Sequence, residues 1–326
     1  MSLIKNNLMK IREDNKISRQ FIQALKNQDL DKLKTIPKGD LHNHALLGMR
    51  FTKFNNYFNG QVKPPPAKMN GLKEMAAYLD NETIKFIKSK KEIEDLLKLA
   101  LEEAINDGVI LLEASLDASF ISYYENNAEY FSMIENLQNL YSKKLHFRPE
   151  LGAARVLPED KWDEWIRPAI KSGVFYSIDL YDLESVNKID LYSKYYKIAR
   201  NNGLKIKAHV GEFCGPEQII ETIKILNPEA IQHGIQAINS PEAIKIIKDR
   251  NITLNICPTS NIKLGAIDNI ANHPAPDLFK KDINITINTD DLLLFDSSVS
   301  EEYLKLYKNG LFSEEELNTI RINSLI

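Results

Sequence analysis

From residue 37 onward the chain alternates short apolar, β-branched runs with longer amphipathic stretches, and this alternation limits the fold more than any other feature of its 326 residues. Strand character falls at 40–47, 109–118, 147–157, 174–182, 204–212, 230–235, 253–260 and 283–291, eight runs in all. Ile252-Thr253-Leu254-Asn255-Ile256 and Ile283-Asn284-Ile285-Thr286-Ile287 are β-branched and bounded by polar residues, whereas 184–202 and 241–250 carry the spacing of crossover helices. Strand and helix in turn predict a parallel sheet with helices outside it. Eight such units in about 290 residues match a closed (β/α)8 TIM-like barrel better than an open sheet, although counting alone leaves the open form in play.

Two segments stand outside the alternation. Residues 1–36 space Ile, Leu and Phe three or four apart among charges and end before Pro37, which predicts a helical N-terminal cap and not a separate domain. Between 48 and 90 the pattern lapses into an aromatic stretch, Phe51 to Phe58, followed by Pro64-Pro65-Pro66. An insertion directly after a first barrel strand lies at the mouth where ligands bind, so a lid is expected there, an ordinary packed insertion being the alternative. The whole of 1–326 then reads as one domain.

Composition narrows the function by exclusion. A formal charge of -3, with lysines interleaved among acids, offers no basic face for a polyanion, so nucleic acid is not expected as a partner. The two cysteines, Cys214 and Cys257, read as reduced thiols. The N-terminus lacks the apolar core of a signal peptide, and no run reaches the roughly 18 apolar residues that cross a bilayer. A cytoplasmic protein without membrane contact is expected.

Polar residues gather where the strands end, which is where barrel enzymes carry their reactive groups. His42-Asn43-His44 places two imidazoles at i and i+2 of the first strand, on one side, where they can grip one ion. The fifth strand runs into His209-Val210-Gly211-Glu212; Gly211 lets the backbone turn and bring Glu212 beside His209. The sixth holds Gln232-His233-Gly234, and the eighth ends in Asp290-Asp291, adjacent acids that a cation would hold together, or that cap the next helix. Singly these are weak signals. Together, four of the six histidines and three acids fall at the ends of strands one, five, six and eight, and this convergence predicts a metal site. His146, at the start of a strand, and His273, in a loop before Pro274, are assigned structural roles.

In order and spacing, Lys38 to His44, His209 to Glu212, Gln232 to Gly234, Cys257-Pro258-Thr259-Ser260-Asn261-Ile262-Lys263-Leu264-Gly265 and Asn288 to Asp291 resemble the signature segments of the adenosine deaminase family within the amidohydrolase superfamily. The resemblance implies that His42, His44, His209 and Asp290 bind one Zn2+ per chain. It implies that His233 orients the attacking hydroxide and that Glu212 protonates the ring nitrogen, with Asp290 and these two forming the catalytic set. Asp291, Asp182, Gly211 and His44 are expected at the substrate, a small purine. The implied reaction is hydrolytic deamination of adenosine or a related 6-aminopurine. The cysteine-ligand pattern of cytidine-type deaminases is absent.

Two departures bear on the substrate. Typical members carry an acid before the glycine that follows the second histidine, at the ribose or purine edge; here the turn reads Ala45-Leu46-Leu47-Gly48. After the fourth strand, where a glycine is common, stands Asp179-Leu180-Tyr181-Asp182. A changed substituent or a shifted pose is the expected consequence. The other readings are a barrel hydrolase acting on a different amino-heterocycle and a nucleoside-binding relative with reduced activity; the full set of ligands and proton carriers counts against the second.

Overall fold

All eight expected strands are present, each parallel to the next in chain order: β1 Lys38–His44, β2 Val109–Asp117, β3 His146–Ala154, β4 Ser177–Tyr181, β5 Lys205–Val210, β6 Ala230–His233, β7 Thr253–Ile256 and β8 Ile285–Ile287. The computed structural model describes residues 2–184 and 188–326. A parallel bridge between Asn43 and Asp290 joins the end of the last strand to the first, with the Asp290 N–H donating to the His42 carbonyl at 2.9 Å. That bridge closes the ring into a (β/α)8 barrel, with the helices outside.

Several strands stop short of their expected C-terminal ends. β1 ends at His44 and not at 47, and β8 at Ile287 and not at 291. β1 gives way to a 3-10 turn at Ala45–Leu47, and at the ends of β5, β6 and β8 Gly211, His233 and Asp290 have φ of 78°, 63° and 59°. A left-handed residue ends an extended run at its position and re-aims its side chain, and each non-glycine case costs on the order of 1–3 kcal/mol. The helix expected over 184–202 spans Asp190–Asn201, and the part of that expectation at 185–187 lies outside the described residues.

Helices Ser2–Glu13, Asn15–Lys26 and Leu30–Lys34 precede β1, the second and third capped by the Asp14 and Asp29 carboxylates. They tie to the C-terminal helix Glu314–Asn323 at the N-terminal end of the barrel. There Phe21 sits edge-on to Tyr303, and the buried Arg321 donates to the Pro37 carbonyl at 2.9 Å. Between β1 and β2 the chain forms helices Phe51–Tyr57 and Leu72–Tyr78. Two backbone bonds, Met69 N–H to the Lys263 carbonyl and Gly71 N–H to that of Leu264, fasten this insertion to the segment after β7. No helix among the described residues is long and apolar enough to cross a membrane.

Below the mouth the barrel holds an ionic cluster. Lys207, two residues before His209 on the same face of β5, meets Glu113 and Glu150 at 2.6 Å each and the Leu41 carbonyl at 2.9 Å. Arg148 reaches the other Glu113 oxygen at 2.8 Å. Burial works against the Glu113 charge, but Lys207 and Arg148 outweigh it and hold its pKa below the usual value. Burial dominates at Glu150, pushed up to about 7. Lys207→Met would leave Glu150 buried without its cation and Glu113 with Arg148 alone, and a stability loss of about 3–5 kcal/mol is expected by urea denaturation. A loss under about 1 kcal/mol, the range of an exposed pair, would mean the cluster is not held together by that lysine.

Candidate active site

The strand ends bring their histidines to one point. His42 and His209 place their Nε2 atoms 3.0 Å apart. The other ring nitrogen of each decides what these atoms are. Nδ1 of His42 lies 3.3 Å from the Asn255 carbonyl, which can only accept, and 3.4 Å from the Cys257 sulfur, which can accept as well, so the carbonyl decides that this nitrogen carries the proton. Nδ1 of His209 lies 3.1 Å from the Asp179 carboxylate, whose pKa burial raises only to about 6, so it too is a donor at neutral pH. Both Nε2 atoms therefore present lone pairs to each other across 3.0 Å. Two lone pairs so placed repel unless a cation lies between them.

The acids complete the donor set. Asp290 Oδ1 stands 3.4 Å from His44 Nε2 and 3.6 Å from His42 Nε2, while its Oδ2 accepts the Ser260 hydroxyl at 2.6 Å. Burial, then the neighbouring imidazoles of His233, His209 and His44, lower the His42 pKa well below its ordinary value; burial does the same at His209. Burial opposes charge on His44 also, but Asp291, Asp290 and Asp179 outweigh it and raise its pKa. Three neutral or readily deprotonated imidazoles and a carboxylate are the donor chemistry zinc prefers. The described residues thus fit such an ion.

Beside this point stand the proton carriers. β5 ends at Val210, and Gly211 turns the chain; a Cβ there would collide with Ile219. The turn is held by Glu184, whose carboxylate accepts the N–H groups of Gly211, Glu212, Phe213 and Cys214 at 2.7–3.2 Å. With its N–H committed there and its carbonyl accepting from Gln236, Gly211 does not line the cavity. Glu212 is buried, its Oε2 3.6 Å from His233 Nε2. Burial first, and the Asp290 charge second, raise its pKa well above that of an ordinary carboxyl. His233, at the left-handed end of β6, is held down to about 3 by burial. Asp291 is buried with no partner on either oxygen, and burial pushes it up to about 7.

Above them opens a cavity of about 410 Å³, within the range of about 300–1,000 Å³ that small ligands occupy. His44, Glu212, His233, Asp290 and Asp291 line its inner end. Leu46 and Leu47 form part of an apolar collar with Leu72, Met75, Leu79 and Ile84 of the insertion. The aromatic run of that insertion does not reach the cavity: Phe54 and Phe58 pack on each other at 5.0 Å, and Phe58 on Phe86. Asp182 lies on the wall with a φ of 83°, near Asp80, Asp117 and Tyr181. No lysine or arginine is among the described lining residues.

Sequence reasoning gave no role to Asp179, Glu184, Ser260 or Asn261, and placed His273 among the structural residues. Ser260 and Asn261 lay inside the segment Cys257 to Gly265, so their signal was present as a motif without an assignment. Asn261 bonds both Glu212 and His233, and His273 bonds Asn261.

The family model for adenosine deaminase matches residues 150–326. A Treponema pallidum (strain Nichols) protein named as an adenosine/adenine deaminase is 31% identical over 288 residues, covering 88% of this chain and 96% of that one. The fold is shared with an adenine deaminase from Arthrobacter aurescens, at a TM-score of 0.77 and 22% identity over 88% of this chain and 92% of that one. It is shared also with an amidohydrolase from Burkholderia ambifaria solved with bound Zn, at a TM-score of 0.74 and 18% identity over 90% and 85% of the two chains.

Proposed function

Since the chain belongs to the adenosine deaminase family, we propose that it is a zinc-dependent aminohydrolase that converts adenosine or a related 6-aminopurine and water into the 6-oxo product and ammonia. The observation that carries this reading is the pair of facing Nε2 atoms of His42 and His209, 3.0 Å apart and flanked by Asp290, with Glu212 alongside, buried and its pKa raised by that burial.

In this reading His42, His44, His209 and Asp290 hold one Zn2+. The ion's contribution when bound is Lewis acidity, which makes water a nucleophile near neutral pH. The remaining chemistry falls to the chain. Glu212 is kept neutral by burial and so has a proton to give to the ring nitrogen beside the reacting carbon, which makes that carbon electrophilic. His233 faces the same point and steadies the oxygen that attacks. The two unpartnered oxygens of Asp291 accept a hydrogen bond from the substrate ring or from the incoming hydroxyl. Loss of ammonia then leaves the carbonyl. The insertion acts as a lid, its Leu72 to Ile84 stretch shielding the reaction from water.

The walls bear on the substrate. With Leu46 and Leu47 where a ribose-contacting acid is expected, and Asp80, Asp117 and Asp182 on the wall without a lysine or arginine, a neutral substituent suits the cavity and a phosphate does not. Like charge brought together at a desolvated surface costs several kcal/mol. Kinetics on adenosine, 2′-deoxyadenosine, adenine and AMP are expected to give a kcat/KM for AMP at least about 100-fold below that of the best unphosphorylated compound. Inactivity on all the unphosphorylated purines would remove the purine assignment. A preference for AMP would instead overturn the argument from the wall.

A further inference from the structure

A chain of hydrogen bonds outside the metal ligands fixes the protons at the reacting end of the cavity. It starts at a donor whose identity is unambiguous: the backbone N–H of Ala275 lies 3.2 Å from His273 Nδ1, so that nitrogen accepts. Burial lowers the His273 pKa to about 4, which keeps the ring neutral. Its single proton is therefore on Nε2, 3.2 Å from Asn261 Oδ1. An N–H facing the amide requires the oxygen there, so the orientation of Asn261 follows. Its NH2 group then points the other way, where two acceptors wait: Glu212 Oε1 at 2.6 Å and His233 Nδ1 at 3.1 Å.

Both consequences reach the reacting groups. With Nδ1 of His233 accepting, the proton of that neutral ring sits on Nε2, the nitrogen turned toward Glu212 and Asp290. With Oε1 of Glu212 accepting, Oε2, 3.6 Å from His233 Nε2, is the oxygen left to carry a carboxyl proton. We propose that His273 and Asn261 are positioning residues, a relay that sets the Nε2–H tautomer of His233 and selects Oε2 as the proton-bearing oxygen of Glu212. The relay rests on the roles given to those two residues above. Within it His233 enters the reaction as a hydrogen-bond donor, and Glu212 presents its proton without first rotating. His273 is not among the described residues that line the cavity and acts only through Asn261. It comes from the loop after β7, ahead of helix Ala275–Lys280, a helix that packs against β8.

The test begins with the zinc-loaded wild-type protein labelled with 15N-histidine, in which NMR shifts of the ring nitrogens report the tautomers directly. His273 and His233 are both expected to carry the proton on Nε2. His233 protonated on Nδ1 would overturn the relay, whether or not the protein deaminates purines; a wild-type enzyme without deaminase activity would bear on the function alone. Two variants supply the kinetic arm. His273→Gln can put an amide N–H where Nε2 stood, whereas His273→Leu cannot. Loss of an outer-shell partner typically costs about 10–100-fold in activity, so H273L is expected to lose that much in kcat with KM and zinc content little changed, and H273Q to recover most of it. The His233 tautomer should persist in H273Q and become mixed in H273L. Equal loss in both variants, or unaltered kcat in folded H273L, would overturn the proposal. Should H273L fail to fold, H273Q and the wild-type spectra still decide it.

Discussion

Replacing Glu212 by glutamine is expected to lower kcat by about 10²–10⁴-fold, the span over which a single general acid contributes, in protein that still binds its metal. The argument runs from burial to charge to proton. Glu212 is almost fully enclosed, and burial, aided by the Asp290 charge, moves its pKa well above the ordinary carboxyl value. A raised carboxyl pKa means the neutral form persists at pH values where a free glutamate is ionised, so the group holds a transferable proton. Glutamine keeps the size of the side chain and can still accept the Asn261 N–H, which in the native protein meets Oε1 at 2.6 Å. It has no acidic proton. The sign of the pH dependence follows: the native rate should fall on the alkaline side as Glu212 ionises, and the residual rate of E212Q should lack that limb. Ammonia release against pH measures both. A variant within a few-fold of the native kcat would show that the ring nitrogen takes its proton from elsewhere.

Chelation should abolish activity altogether, with recovery on adding one equivalent of Zn2+ per chain, and should also lower the melting temperature. Without a cation, the His42 and His209 lone pairs face each other at 3.0 Å and the buried Asp290 and Asp291 stand side by side. A ligand that binds only the folded state stabilises it by about 4 kcal/mol when present at 1,000 times its dissociation constant, so the apoprotein should melt several degrees lower. His209→Ala should give the same two losses with no recovery on adding zinc. Elemental analysis provides the stoichiometry. Active protein free of divalent ion, or binding two per chain, would contradict the single-ion site assembled from His42, His44, His209 and Asp290.

The two expectations draw on different parts of the chain's logic, and they were legible in the sequence to different degrees. His42 and His44 could be paired before any coordinates because a strand repeats every two residues, and both lie within three positions on β1. The alternation of β-branched runs and amphipathic stretches located eight strands for the same reason, since backbone preference and side-chain period are properties of a few consecutive residues. Strand ends were less legible. Whether β8 stops at Ile287 or continues to 291 turns on Asp290 taking a φ of 59° where it bridges to β1, a conformation open to Asp but not fixed by the neighbouring residues alone. The aromatic run Phe51 to Phe58 had the composition of a stacking surface, yet it packs inward; nothing in its spacing distinguishes a ring facing a ligand from one facing Phe86.

By itself, then, the order of residues determined eight strands alternating with helices, the placing of histidines and acids at the strand ends, and the apolar Leu46 and Leu47 and the acidic Asp182 at positions where the family pattern differs. Only the folded molecule decided that His42 meets His209 across 167 positions, that Asn261 meets Glu212 across 49, that Glu184 clamps the turn after β5, and that His273 meets Asn261. The reason is range. Torsional preference and hydrophobic period act over a turn or a strand, whereas a hydrogen bond 3 Å long between distant positions exists only once barrel closure has set the stagger of every strand against its neighbours.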